Sequence, residues 1–297
     1  MRNFMAETLP EKSAIYLGPI TDTSRWDNFK YRPDDFFICT PPKCGTTWTQ
    51  AISAMLVFGS HDHGQQSSAL SPWIDASFAP IDEYLAQIEL QSNRRFIKTH
   101  TPLDGIPYHP ECNYFVVLRD PRDAYFSGLN HRDNMNNQEM ANQIFPNGAD
   151  AFADWLKTER TPPRWDLVSL ESITHFFKSY WQYRHLPNIH IFHYSDMQRD
   201  LPKVVKQMAD ALGLPFTDAE IKQFADAASF DVMKKNADQF APESGTGMWK
   251  AESAFFATGK NQQWKNQLSE EELAAFDARL KALLPAEEAA WLLSGNG

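Results

Sequence analysis

A short apolar run, Asp-Phe-Phe-Ile-Cys-Thr at residues 35–40, leads directly into Pro41-Pro42-Lys43-Cys44-Gly45-Thr46-Thr47. The segment after it has apolar residues at helical spacing: Trp48, Ile52, Met55 and Leu56 form one stripe of an amphipathic helix. A buried strand, a tight loop and a helix in that order fit few architectures, because the helix must pack back over the sheet that the strand joins. The chain is therefore expected to be α/β. The loop also gathers backbone N–H groups and a helix N-terminus around one point, a geometry suited to a phosphate.

The same alternation continues along the chain. Short apolar runs bounded by polar or turn residues predict strands at Arg95–Thr99, Asn113–Leu118 and Asn188–Tyr194, with a further short one at Ala14–Leu17. One helix is predicted to carry Ile173, Phe176, Phe177, Tyr180, Trp181 and Arg184, just before the strand at 188–194. Another should begin at Thr217-Asp218-Ala219-Glu220, which has capping-box spacing, and include Ile221 and Phe224. Strands alternating with helices imply three layers, a central mostly parallel sheet flanked by helices, with ligands at the carboxyl ends of the strands. A chain of 297 residues with 42% hydrophobic content is expected to form a single domain, residues 1–297 with a core of about 33–285. Asn134 to Arg164 is polar, contains Asn147-Gly148 and Pro162-Pro163, and is expected to be an excursion on the acceptor side, its Phe145, Phe152 and Trp155 favouring an apolar acceptor.

Composition excludes several classes. A net charge of −10 disfavours nucleic acid and anionic membranes as partners, so an anionic ligand must be held by a local positive site. No run approaches the roughly 20 apolar residues of a membrane span, and Met1 to Glu7 lacks the apolar stretch of a signal peptide. Cys39, Cys44 and Cys112 are odd in number and lack metal-ligand spacing, which predicts neither disulfides nor zinc and fits a reducing, cytoplasmic setting.

Within the loop, Gly45 permits close backbone approach, Thr46 and Thr47 add hydroxyl donors, and Lys43 supplies a mobile positive charge. Cys44 is expected to be a small filler. The lysine precedes the glycine, the reverse of the G-x-x-x-x-G-K-[ST] order that binds nucleotide triphosphates with Mg²⁺, so no metal is expected. The strand at 113–118 ends in Arg119-Asp120-Pro121, where Asp120 suits a helix cap, Pro121 the first helical position, and Arg119 the mouth of the helix. A guanidinium there can meet a terminal phosphate with two bonds. Arg122 is as well explained by pairing with Asp120 or Asp123. His100 follows the strand at 95–99 at its carboxyl end and titrates near neutrality when unperturbed, as a general base should; Lys98 projects to the same face. His131 is kept as a contact to an acceptor, and the other histidines are expected to be structural.

At these residues the chain resembles the cytosolic-type sulfotransferase family, whose loop reads close to Pro-Lys-Ser/Ala-Gly-Thr-Thr-Trp. The likeness runs from about Asp35 to Lys265 and includes Ser71-Pro72-Trp73, Phe96-Ile97-Lys98-Thr99-His100, Leu118-Arg119-Asp120-Pro121-Arg122-Asp123, Phe192-His193-Tyr194-Ser195-Asp196-Met197, Ser229-Phe230-Asp231-Val232-Met233 and Gly259 with Trp264-Lys265. Its feel is closest to bacterial aryl and glycolipid forms. The resemblance implies a P-loop-like fold and 3′-phosphoadenosine 5′-phosphosulfate (PAPS) as co-substrate, with 3′-phosphoadenosine 5′-phosphate (PAP) as product. It implies that His100 is the base, that Lys43 assists the leaving phosphate, and that Lys98 steadies the transferring group. Arg119 and Ser127 would hold the 3′-phosphate; Trp48, Phe230, Ser229 and Tyr194 would surround the adenine. Where members have an arginine ahead of the Gly and Trp-Lys positions, this chain has Ala257-Thr258-Gly259-Lys260, and Lys260 is expected to substitute. The acceptor would be a small molecule bearing a hydroxyl or amine. The dimer motif of animal members is absent after Lys265, so the likeness carries no oligomeric state. Two other readings stand beside it, a P-loop kinase or nucleotide hydrolase and a nucleotide-binding module without catalysis.

Overall fold

The computed structural model describes residues 8–159 and 165–296. The N-terminal segment Met1 to Glu7, and Pro162-Pro163 with Arg164 in the predicted excursion, lie outside the described residues. Four parallel strands, β1 (Phe36–Cys39), β2 (Phe96–Thr99), β3 (Asn113–Leu118) and β4 (Ile189–His193), form a sheet of order β2-β1-β3-β4. Phe36 lies beside Phe96 on one side and Asn113 on the other, and Tyr114 lies beside Ile189.

Alternation along the strands divides the core in two. Phe37, Ile97, Tyr114 and Val116 pack with Trp26, Phe176 and Tyr180 on one face. Phe36, Ile38, Phe96 and Phe115 pack with Ile52, Met55, Met208 and Phe224 on the other. Both faces are covered, which is why central β1 is a continuous apolar run and β3 becomes one after Asn113, while the edge strands β2 and β4 admit Lys98, His190 and His193. The helix Asp218–Ala227 starts at the predicted capping box, with Thr217 and Glu220 bonding reciprocally. Asp120 accepts from the Arg122 N–H and Pro121 opens the helix Pro121–Asn134.

Three expectations change. Ala14–Leu17 is not a strand: the Ser13 and Ala14 N–H groups donate to the Asp104 carbonyl, Tyr16 N–H goes to Thr23 Oγ1, and Leu17 makes one isolated bridge to Asp22. Its backbone bonds go to a loop and a turn, leaving no ladder to join. The helix Leu170–Trp181 stops before Arg184, whose guanidinium donates to the Trp181 carbonyl at 2.8 Å and closes that end. The excursion holds helices Gln138–Ile144 and Ala151–Lys157, and Phe152 and Trp155 are buried against Tyr125 in the core instead of facing an acceptor. Ala151, Phe152, Trp155 and Leu156 form one buried face of a short helix, which the polar flanks conceal. Among the described residues no helix is long and apolar enough to cross a membrane.

Candidate functional site

Each strand delivers a polar residue at its carboxyl end: Thr40 after β1, His100 after β2, Arg119 after β3 and Tyr194 after β4. His100, Arg119 and Tyr194, with Pro41 just after Thr40, border a cavity of about 910 Å³. Lys43, Gly45, Thr46, Thr47 and Trp48 line it from the first loop. Lys98, His100, Arg119, Ser127 and Tyr194 line it from the strand ends and the helix that follows β3, and Phe230 and Gly259 from the C-terminal third.

The helix Thr46–Phe58 begins at Gly45, with φ 111° and no side chain capping its first N–H groups. An uncapped helix mouth beside a threonine pair linked at 2.6 Å (Thr40 Oγ1 to Thr46 Oγ1) has donors free to meet an anion. Lys43 stands in the left-handed region at φ 67°. Its Nζ lies 2.8 Å from His131 Nδ1 and 4.7 Å from the centre of the Phe255 ring. Burial, followed by the charges of Arg119 and Lys98, brings the Lys43 pKa down to about 7. Cys44 is the one residue of the Lys43–Trp48 loop absent from the cavity lining: it is fully buried, burial pushes its thiol up to about 12, and its side chain packs in the core instead of meeting a ligand.

His100 Nδ1 lies 2.6 Å from the Thr40 carbonyl oxygen. A carbonyl only accepts, so Nδ1 carries the hydrogen and the Nε2 lone pair is free. Burial, reinforced by the Lys98 charge, holds His100 well below the usual histidine range, so the ring is neutral. Trp73 packs edge-on to His100 at 4.7 Å, and Lys98 Nζ sits 4.3 Å from the Trp73 ring centre. Burial lowers Lys98 to about 8, with buried Asp75 opposing that fall. Asp75 Oδ2 accepts from Trp26 Nε1, Thr99 Oγ1 and Thr101 Oγ1 at 3.0, 2.7 and 2.5 Å. Since Thr99 and Thr101 flank His100, this carboxylate fixes the strand end that carries it.

Arg119 lies under Tyr194, its guanidinium 4.1 Å from the ring centre, and donates to the carbonyls of Lys43 at 3.3 Å and Lys260 at 2.8 Å. Its Nε is buried and has no hydrogen-bond partner among the described residues, as a group poised for an anion would be. Trp48 meets Tyr194 edge-on at 5.2 Å and donates to the Ala228 carbonyl at 2.7 Å. Gly259, at φ 62°, lies so near Phe230 that an added Cβ would come within 2.3 Å of the ring. The loop after it is tied down by the Gln262 and Gln263 N–H groups, which donate to Asp123 at 2.8 and 2.7 Å.

Two predicted residues stand apart from this cavity. Ser229 borders a separate shallow hollow of about 430 Å³, and Lys260 is exposed with only its carbonyl turned toward Arg119. Arg122 pairs with Asp120 at 3.0 and 2.8 Å and stacks on Trp264, a structural arrangement. His190 bonds Asn113, and His193 caps Ser195 and meets the Leu292 carbonyl, so both are structural as expected. Sequence reasoning missed Asp75, which no spacing links to His100, and the contact of His131 with Lys43. His131 follows Ser127 by four residues on one helix face, a signal that was available. Met135, Met140, Ile144, Phe145, Trp165 and Phe176 give the other half of the cavity an apolar lining. Among the described residues no group of three or more His, Cys, Asp or Glu side chains could hold a metal ion.

A family model described as "Sulfotransferase domain" matches residues 33–287. A glycolipid sulfotransferase of Mycobacterium bovis is 33% identical over 309 residues, covering 95% of this chain and 94% of that protein. Among solved structures, retinol dehydratase in complex with androsterone and PAP aligns with a TM-score of 0.70 at 22% identity, covering 87% of this chain and 83% of that one. A mouse sulfotransferase complexed with PAP also gives 0.70 at 22% identity, covering 91% and 92%. At that identity the two structures speak for the fold.

Proposed function

Because the chain belongs to the family built on the sulfotransferase domain, we propose that it moves the sulfuryl group of PAPS onto the hydroxyl or amine of a small, partly apolar acceptor by in-line displacement, in the cavity at the strand ends. The protein is a sulfotransferase, with PAPS as co-substrate and PAP as product. The observation that carries the residue assignment is His100: its Nδ1–H is committed to the Thr40 carbonyl, so a neutral ring offers Nε2 to the cavity that Lys43 and Lys98 also line. The acceptor's O–H proton passes to Nε2 as its oxygen bonds sulfur, and the bond from sulfur to the bridging phosphate oxygen breaks. Lys43 donates to that oxygen as it gains charge, and Lys98 steadies the sulfuryl oxygens. Arg119 and Ser127 take the 3′-phosphate; the orphaned Arg119 Nε fits this role. Lys260 joins them only by turning in from solvent. Trp48, Tyr194 and Phe230 enclose the adenine, with Gly259 letting the chain pass Phe230.

The test is transfer from sulfate-labelled PAPS to a panel of phenols, alcohols, amines and glycolipids, the last prompted by the name of the mycobacterial relative. Labelled product is expected, with turnover unchanged in EDTA. Strict Mg²⁺ dependence with cleavage of a nucleoside triphosphate would favour the kinase or hydrolase reading, and PAP binding without transfer would favour an idle module. The same reading places the enzyme as one unit in the cytoplasm, where its three buried free thiols persist.

The pH profile follows from two groups. His100 is held below its ordinary range, so its base form persists at mildly acid pH and gives no acid limb near 6.5. Lys43 is charged below about 7 and loses its proton as pH rises, so kcat/KM for PAPS is expected to decline on the alkaline side of neutrality. Initial rates at limiting PAPS between pH 5.5 and 9 check this; a limb rising through 6.5 would contradict it.

A further inference from the structure

We propose that His131 is a positioning residue for Lys43, accepting its ammonium at Nδ1 and so keeping it charged and aimed across the cavity. The inference rests on the reading of Lys43 as the group that meets the leaving phosphate. The lysine needs such help. It stands at φ 67° on a loop, with its ammonium 4.7 Å from the Phe255 ring centre. Arg119 at the end of β3 and Lys98 on β2 both act to drive its proton off, as burial does. Cys44 beneath the loop is a buried thiol, and His100 is neutral.

Against these stands one acceptor. Among the described residues the only hydrogen-bond partner of Lys43 Nζ is His131 Nδ1, at 2.8 Å. The imidazole is itself built in. It comes from the helix Pro121–Asn134 and lies among the rings of Trp249, Phe145 and Phe255, at 4.7, 5.6 and 5.6 Å. Burial and the charges of Lys43 and Lys98, with His100 also facing it, keep this ring neutral; an ammonium only donates, so the Nδ1 that meets it is the acceptor and the ring hydrogen sits on Nε2. A hydrogen bond to the charged form raises an amine's hold on its proton, which opposes Arg119 and Lys98. The rings around His131 fix where that bond is made, and hence the direction of Lys43.

The test compares wild type with His131→Phe, which keeps an aromatic filler and removes the acceptor, and His131→Asn, whose amide oxygen can accept in place of Nδ1. His131→Leu serves if His131→Phe does not fold, judged by its thermal midpoint. Competitive acetylation of Lys43 with acetic anhydride, read by peptide mass spectrometry across pH, reports its titration whatever reaction the enzyme catalyses. The midpoint is expected to fall by about one pH unit in His131→Phe and to return most of the way in His131→Asn. The alkaline limb of kcat/KM should move with it, and kcat at pH 7.5 should fall about tenfold in His131→Phe. An unmoved Lys43 midpoint in folded His131→Phe, or equal displacement in both variants, overturns the proposal. A shifted midpoint in an enzyme that transfers no sulfuryl group would support the contact and reject the catalytic reading it rests on.

Discussion

A His100→Asn enzyme is expected to lose about 10²- to 10⁴-fold in kcat while binding PAP within about twofold of wild type. Asparagine is chosen for its geometry. Its amide N–H can still donate to the Thr40 carbonyl, which His100 Nδ1 meets at 2.6 Å, so the strand end keeps its anchor. The Asp75 bonds to Thr99 and Thr101 are untouched. What disappears is the lone pair that Nε2 presents to the cavity. Initial-rate assays with labelled PAPS, beside calorimetric titration with PAP, separate the two effects. Turnover surviving at more than about one tenth of wild type would remove His100 from the role of base.

Arg119→Met is expected to weaken PAP binding about a hundredfold, with a much smaller loss for AMP, which lacks the 3′-phosphate. Methionine retains an unbranched, flexible side chain that can fill part of the space under Tyr194, which the guanidinium now covers at 4.1 Å. The substitution deletes the donors to the Lys43 and Lys260 carbonyls, so some loss is shared by every nucleotide. The ratio between PAP and AMP is therefore the informative quantity. Equal losses for both would mean that Arg119 organises the two loops without touching the terminal phosphate. The same variant relieves one of the two charges that lower Lys43, so its lysine should hold its proton to higher pH.

Much of this architecture was visible in the sequence, for a specific reason. Strands covered on both faces are short, largely apolar runs, and four of the five predicted strands contain an observed one. The residues just after them were legible for the same reason, since the end of a strand in such a sheet is a ligand-binding position. Ala14–Leu17 failed because an apolar run does not reveal whether a sheet edge is available to it. Phe152 and Trp155 were misread because their burial depends on Tyr125 and Phe276, which arrive from distant segments. Asp75 was missed on the same ground: its three donors, Trp26, Thr99 and Thr101, meet only after β2 and the N-terminal turn pack together. Lys260 illustrates the converse. It is near the right position in sequence, yet its side chain is in solvent while Thr258 and Gly259 border the cavity.

The order of the strand ends has one more consequence. Neighbouring strands lie about 4.8 Å apart, so residues stepping off β2, β1, β3 and β4 form a row roughly 14 Å long whose spacing belongs to the backbone. That row acts as a ruler. His100, the Lys43 loop, Arg119 and Tyr194 occupy successive marks, and no side-chain substitution alters the interval between them. Sliding β2 by one residue against β1, so that Phe36 no longer faced Phe96, would instead turn Lys98 away from the cavity and bring Thr99 to its place. On the proposed reading, the acceptor's distance from the nucleotide is set by sheet register, and adaptation to a particular acceptor falls to the loops and helices that line the rest of the cavity.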